Sequence, residues 1–250
     1  MIKVLNKMFD LLEAVAVRSP SVVRTGELSE LFGLNVATCS RLLRELVEHG
    51  YLTKSPNQAG YVVGPRVVTI NNRVNSHSEV LEAANAVVHQ WARKYEGAFL
   101  YCEHHGLNRY ILSFCNGSPR LQPTVFGLAH QDLLMTATGL VLLSHADSET
   151  RQKVYENERG NRNQVAGSLE DVNRQLDDIL VRGCYVEEHS YDFQFILAYP
   201  VFQNKVFLGS LGASFYQRDG SDKQKKEWQK AVHSAALELT SRISRHMDSR

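Results

Sequence analysis

The sequence predicts an α+β protein in two parts, an N-terminal winged helix-turn-helix and a C-terminal domain built on an antiparallel sheet. Three observations carry the prediction. Capped apolar stripes at helical spacing run from residue 2 to residue 48, a strand, a polar turn and a strand follow at once, and the later strand-like runs come as hairpins without regular strand–helix alternation. At 250 residues, 43% hydrophobic and 22% charged, the chain can build two cores and is too apolar for a disordered or collagen-like polymer.

Leu5, Met8, Phe9, Leu11, Leu12, Val15 and Ala16 recur at three- and four-residue steps, so residues 2–17 read as a helix with one broad apolar face. Pro20 lies just beyond its end. Thr25 offers an N-cap hydroxyl to a short second helix, whose stripe of Leu28, Leu31 and Phe32 stops at Gly33. Asn35 caps a third helix with Cys39, Leu42, Leu43 and Leu46 inward and an end at His49 and Gly50. At about 100° per residue, its opposite face carries Ala37, Arg41, Arg44 and Glu48, with Thr38 and Ser40 on the flanks. Residues 51–53 and 61–63 then read as strands around a polar turn, Ser55 to Gly60.

That order of elements points to duplex DNA, because a helix has the width of the major groove and its leading residues reach base edges. Ala37, Thr38 and Ser40 are small enough for close approach, Arg41 and Arg44 suit guanine or phosphate, and Lys54 on the hairpin suits a flanking phosphate or the minor groove. With Asn35 they form the expected DNA-binding set. Charge agrees in sign: through residue 75 there are nine basic and six acidic residues, a balance of +3, against −2 for the remainder. A helical packet serving only protein interaction leaves the exposed arginines unexplained.

After a polar stretch from Asn71 to His77, Val80, Ala84, Val87, Val88 and Trp91 keep helical spacing to about Lys94, which reads as a linker helix packing onto both domains. Residues 98–102 and 110–114 flank a turn containing Gly106, a hairpin signal. Ser168 with Asp171 makes a capping box for a helix bearing Val172, Leu176, Ile179 and Leu180 and closing at Gly183. Strands follow at 185–188, 195–201 and 206–216, and a last helix carries Trp228, Val232, Ala235, Leu239 and Ile243. The boundaries expected are 1–65 for the DNA-binding domain, 66–94 for the linker and 95–250 for the second domain.

The first domain resembles the IclR family of bacterial transcription regulators. The resemblance runs through Gly26-Glu27-Leu28, Gly33-Leu34, Thr38, Ser40-Arg41-Leu42-Leu43-Arg44-Glu45-Leu46, Gly50-Tyr51-Leu52 and Tyr61-Val62-Val63-Gly64, in the family's order and nearly its spacing. Asn35-Val36-Ala37 departs from the proline and serine-bearing start more common there. The second half is similar to the family's GAF/PAS-like effector domain at Leu134 to Gly139 with Leu143, at Arg182-Gly183 and at Ala198-Tyr199-Pro200-Val201. Leu140 replaces the family's usual lysine, and Phe193-Gln194-Phe195 replaces a glycine-containing turn.

Thr136 or Thr138, flanking Ala137, caps the helix containing Leu140 to Leu143, and free amides at such a helix start suit a small carboxylate. The resemblance places Gln194 and Ser214 across the same cavity, with Phe193 and Phe195 narrowing it. Glu187 and Glu188, if they point inward, favour a sugar-derived or amine-bearing ligand instead.

Other chemistry finds little support. The charge-free stretch Leu133 to Leu143 is far short of the roughly 20 apolar residues of a membrane helix, and the N-terminus lacks the apolar core of a signal peptide, so a cytoplasmic protein is expected. Cys39, Cys102, Cys115 and Cys184 include no CxxC pair, which argues against a disulfide framework or zinc ribbon. Cys102 and His104 share a strand face near His105, Cys115 and His130, a spacing that is not diagnostic of zinc, so neither metal nor cofactor is expected. No nucleophile elbow, phosphate loop or HExxH motif is present, leaving an enzyme as a weaker alternative beside a ligand-binding interaction module. The expected partners are an operator duplex, a small-molecule effector and further copies of the chain. One recognition helix reads only a few base pairs, which calls for a homodimer, and the resemblance adds a homotetramer.

Overall fold

A computed structural model describes residues 3–73, 75–121, 128–160, 167–189, 193–217 and 221–245. The chain divides into two compact units with the break between Ser76 and His77.

In the first unit, α1 (Lys3–Val17), α2 (Thr25–Leu31) and α3 (Val36–Glu48) surround a core of Leu11, Val15, Val23, Leu28, Cys39, Leu42, Leu43 and Leu46. Strands β1 (Leu52–Lys54) and β2 (Tyr61–Val63) pair antiparallel as the wing, with Thr53 opposite Val62. Met1 and Ile2 lie outside the described residues. Thr25 is the first residue of α2 and not its cap: Arg24 takes the cap position in extended backbone, with no side-chain cap bond. Gly33 ends the turn after α2 at φ 59°, the left-handed conformation that glycine adopts without a steric cost. A helix unread in the sequence, α4 (Pro65–Arg73), follows the wing. Proline at its first position is pre-set for helix and forfeits no intrahelical bond there.

The second unit begins in α5 (Asn75–Tyr95) and centres on five antiparallel strands in the order β4-β3-β7-β6-β5. These are β3 (Ala98–His105), β4 (Asn108–Asn116), β5 (Tyr185–His189), β6 (Gln194–Gln203) and β7 (Val206–Tyr216). Their alternation divides the core into two layers. On one face, Phe99, Tyr101, Phe195, Leu197, Leu211, Ala213 and Phe215 pack with α5 and α9 (Asp222–Arg245), through Val87, Val88 and Trp91 of α5 and Trp228, Val232 and Leu239 of α9. On the other, Cys102 and Ala198 meet α6 (Ala137–Ser144), α7 (Ser148–Gly160) and α8 (Leu169–Arg182). The capping box at Ser168 and Asp171 is formed, and Gly183 closes α8 at φ 70°. Helix α7 carries few apolar residues, of which Val154 and Tyr155 are buried, so no helical stripe marks it in the sequence.

Candidate nucleic-acid interface and ligand site

Helix α3 is set by its two ends and one face. The Asn35 backbone is extended, and its Oδ1 accepts from the Ala37 amide at 2.8 Å, an N-cap that satisfies one of the helix's unpaired donors. Cys39, Leu42, Leu43 and Leu46 are buried beneath. Ala37, Arg41, Arg44 and Glu48 are exposed, and Thr38 and Ser40 are half-buried beside them. Lys54 is exposed on the wing in the same unit. Among the described residues, Arg41, Arg44 and Lys54 form no ion pair, whereas Arg18 is held by Glu27 at 3.1 Å. Arg66 is also occupied, donating to the His49 carbonyl and lying over the Tyr51 ring. The unneutralised cations of the head therefore include those on α3's wet face.

In the second unit, Thr136 is the N-cap of α6: its Oγ1 accepts from the Gly139 amide at 3.2 Å and donates to the Asp132 carbonyl at 3.1 Å. Gly139 lets the first turn lie against the Leu133 backbone, where a Cβ would collide. Ala137 and Thr138 supply the next amides, which have no intrahelical acceptor. Thr138 is buried, its methyl group against Gly212 of β7. Gln194 and Ser214 are half-buried and in strand phase with Ile196 and Ala198, the face that α6 covers.

The two phenylalanines part company. Phe193 precedes β6 with φ 54°, is 41% exposed and meets Tyr216 edge-on. Phe195 does not narrow a cavity at α6. It is 3% exposed and packs on Trp228 in the opposite core layer, because adjacent residues of a strand point to opposite faces and Gln194 takes the α6 side.

Beside Thr136 lies a polar cluster that the sequence reading missed. Arg109 on β4 is buried and donates twice to Asp132, Nε to Oδ1 at 2.8 Å and Nη2 to Oδ2 at 2.6 Å, and once to Cys102 Sγ at 3.3 Å. Burial works against the guanidinium charge, but the Asp132 bonds outweigh it and raise the Arg109 pKa. Burial pushes the Cys102 thiol up despite Arg109, so Cys102 stays a neutral thiol. Glu158 is fully buried, accepts from the Leu134 amide at 3.2 Å and has its pKa raised by burial. Among the described residues, no three His, Cys, Asp or Glu side chains are disposed to hold a metal ion.

Residues 4–56 match the family model described as the IclR helix-turn-helix domain. The chain carries an IclR-type DNA-binding domain. Solved structures extend the likeness to the fold of nearly the whole chain. An IclR transcriptional regulator from Alicyclobacillus acidocaldarius is 17% identical with a TM-score of 0.74, over 97% of this chain and 99% of that one. An IclR homolog from Microbacterium hydrocarbonoxydans, solved with 4-hydroxybenzoate, is 14% identical with a TM-score of 0.74, over 96% and 98%. The IclR of Thermotoga maritima is 17% identical with a TM-score of 0.63, over 98% and 100%. No curated protein sequence matches significantly.

The IclR-like fold thus comprises the N-terminal helix-turn-helix and the C-terminal α+β domain with its antiparallel sheet. Among the described residues no helix is long and apolar enough to cross a membrane. The Arg109–Asp132 pair had one sequence signal, a charged residue two positions from Ile111 on an inward strand phase, but its partner stands 23 positions away.

Proposed function

We propose that this protein is a cytoplasmic, non-enzymatic transcription regulator that binds an operator through α3 and responds to a small-molecule effector in its C-terminal domain. The observation that carries the reading is the exposed face of α3 in an IclR helix-turn-helix, with free Arg41 and Arg44 beside the small residues Ala37, Thr38 and Ser40. Arg41 reads a base edge, Arg44 and Lys54 take phosphates, and Asn35 holds the helix start while keeping its Nδ2 free for the duplex. The pairing of two such heads in a homodimer, alone or within a tetramer, supplies the two half-sites that one helix cannot.

The effector seat is the start of α6, built from Thr136, Ala137 and Thr138 with Gln194 and Ser214 on the sheet below and Phe193 at its margin. A helix start favours a carboxylate, and the Microbacterium homolog's 4-hydroxybenzoate is one. Glu188 is engaged by Lys225 at 2.7 Å and does not count against an acid. The effector shifts DNA affinity by its differential affinity for two states of the regulator.

Gel-shift titration of fragments selected from genomic DNA tests the reading. Arg41→Ala weakens binding about tenfold or more, the loss of one base contact, and leaves thermal melting unchanged. Unchanged affinity removes Arg41 from the interface. In the same preparation, a panel of aromatic and sugar-derived carboxylates raises the melting temperature with at least one member, and Thr136→Val abolishes that rise. A rise that survives Thr136→Val takes the seat away from α6.

A further inference from the structure

A second cationic surface lies in the head, off the face of α3. A groove of about 460 Å³ runs between the lead-in to α2 and the wing, lined by Arg24 and Thr25 on one wall and Lys54, Ser55, Gln58 and Tyr61 on the other. Its walls are fastened together. Val23 and Tyr61 exchange both backbone bonds, at 3.0 and 2.9 Å, so the residue before Arg24 is a strand partner of the wing. Gly60 allows this approach: with φ 154° it lies where a Cβ would come within 2.6 Å of Val22 Cγ1 and of the Val23 carbonyl oxygen. The α2 wall is tied to the recognition helix as well, through Cys39 Sγ donating to the Thr25 carbonyl at 3.8 Å. Arg24 and Lys54 therefore face one groove on a single rigid support. Both are exposed, and among the described residues neither is neutralised by an acid.

Two unneutralised cations on opposite walls match a polyanionic strand and cost no broken ion pair when it arrives. The groove's other polar lining, Thr25, Ser55 and Gln58, supplies hydrogen bonds that suit phosphate oxygens and discriminate no base. We propose that this groove seats the sugar-phosphate backbone beside the base pairs read by α3, with Arg24 and Lys54 each neutralising a phosphate. Arg24 is then a positioning residue: it sets the register of α3 on the duplex and carries no sequence information. The inference rests on the DNA-binding reading above, which already gives Lys54 a phosphate, and adds to it Arg24 as a further, sequence-independent anchor.

The full chain is titrated against a fragment selected from genomic DNA and against a mixed-sequence duplex over a range of salt concentrations. Each neutralised phosphate contributes about 0.9 to the slope of log affinity against log salt. Arg24→Ala lowers that slope by about one phosphate and weakens both duplexes by the same factor, while Arg24→Lys restores the slope. Arg41→Ala serves as the contrast, losing more on the selected fragment than on the mixed one. A wild-type protein that binds neither duplex rejects the DNA-binding reading itself. A wild type that binds, with Arg24→Ala leaving the slope unchanged or losing affinity on the selected fragment alone, overturns the groove and leaves that reading standing. Thermal melting of each variant separates a lost contact from a lost fold.

Discussion

Asymmetry governs the Arg109–Asp132 pair. The Arg109 side chain is 6% exposed, while that of Asp132 is 29% exposed. Removing the acid strands a cation away from water, whereas removing the base leaves a carboxylate that water reaches. Asp132→Ala therefore costs about 2 to 3 kcal/mol, below the figure for a fully buried pair because water already screens part of it. Arg109→Met, which fills a similar volume with an apolar chain, costs under about 1.5 kcal/mol. Urea denaturation of the two variants checks the order; equal losses, or a larger one for Arg109→Met, show that the pair is not governed by desolvation of the guanidinium. The same pair bears on the ligand seat, since Thr136 donates to the Asp132 carbonyl and α6 starts from that fixed point.

At the scale of elements, strand β3, the segment bridged to β4 and the end of α6 carry histidines that folding keeps neutral. His104 lies on β3, His130 exchanges backbone bonds with Arg109 of β4, and His145 caps the C-terminal end of α6 with its ring stacked on Phe207 at 3.9 Å. Burial lowers the pKa of all three below the ordinary value of 6.5. A depressed histidine stabilises the fold fully above the unfolded value. That stability is lost as pH falls below it, because the unfolded chain then binds protons that the folded chain refuses. Glu158, raised from 4.5, acts in the opposite sense, because the folded protein takes its proton first, and this one group offsets only part of the effect of three rings. The urea midpoint thus falls as pH is lowered from about 7.5 to about 5.5, and His145→Gln makes that fall shallower. A midpoint that is flat over this range, or a fall unaltered by the substitution, contradicts the burial of these rings.

These elements also mark what the sequence discloses. Helices α1, α3 and α8, the wing and the hairpin strands were legible because their signals are local: a stripe, a cap, a terminal glycine, a two-residue alternation. Helix α7 was not, since it packs chiefly through Val154, Tyr155 and the buried Glu158, and three residues make no stripe. Helix α4 had only its leading proline. The cap at Thr136 was readable, but the side to which Phe195 turns follows from strand phase once Ile196 stands opposite Ser214. Side-chain clusters such as Arg109 with Asp132 form through pairing of distant segments, and no spacing rule reaches them.

For the molecule as a whole, one unsatisfied feature is the outer face of α1. Phe9 is 60% exposed and Leu5, one turn before it, 46%, although the helix already buries Leu11 and Val15 on its inner side. Apolar side chains standing together in water on one helix are an association surface in waiting. A second copy is the partner that the proposed function requires, because a two-fold operator needs two α3 helices held at a fixed spacing. Self-association through identical faces also closes the symmetry without leading to chains of molecules. Phe9→Glu places charge in the middle of that face and keeps a good helix former in an exposed position, so the fold survives. Sedimentation equilibrium then reports a lower mass for Phe9→Glu than for the wild type at the same concentration. Its operator affinity falls with it, since each head binds alone, while its affinity for a duplex carrying a single half-site stays unchanged. A variant that retains the wild-type mass places the dimer contact elsewhere on the chain, and loss of half-site binding together with the mass traces the defect to the fold of the head.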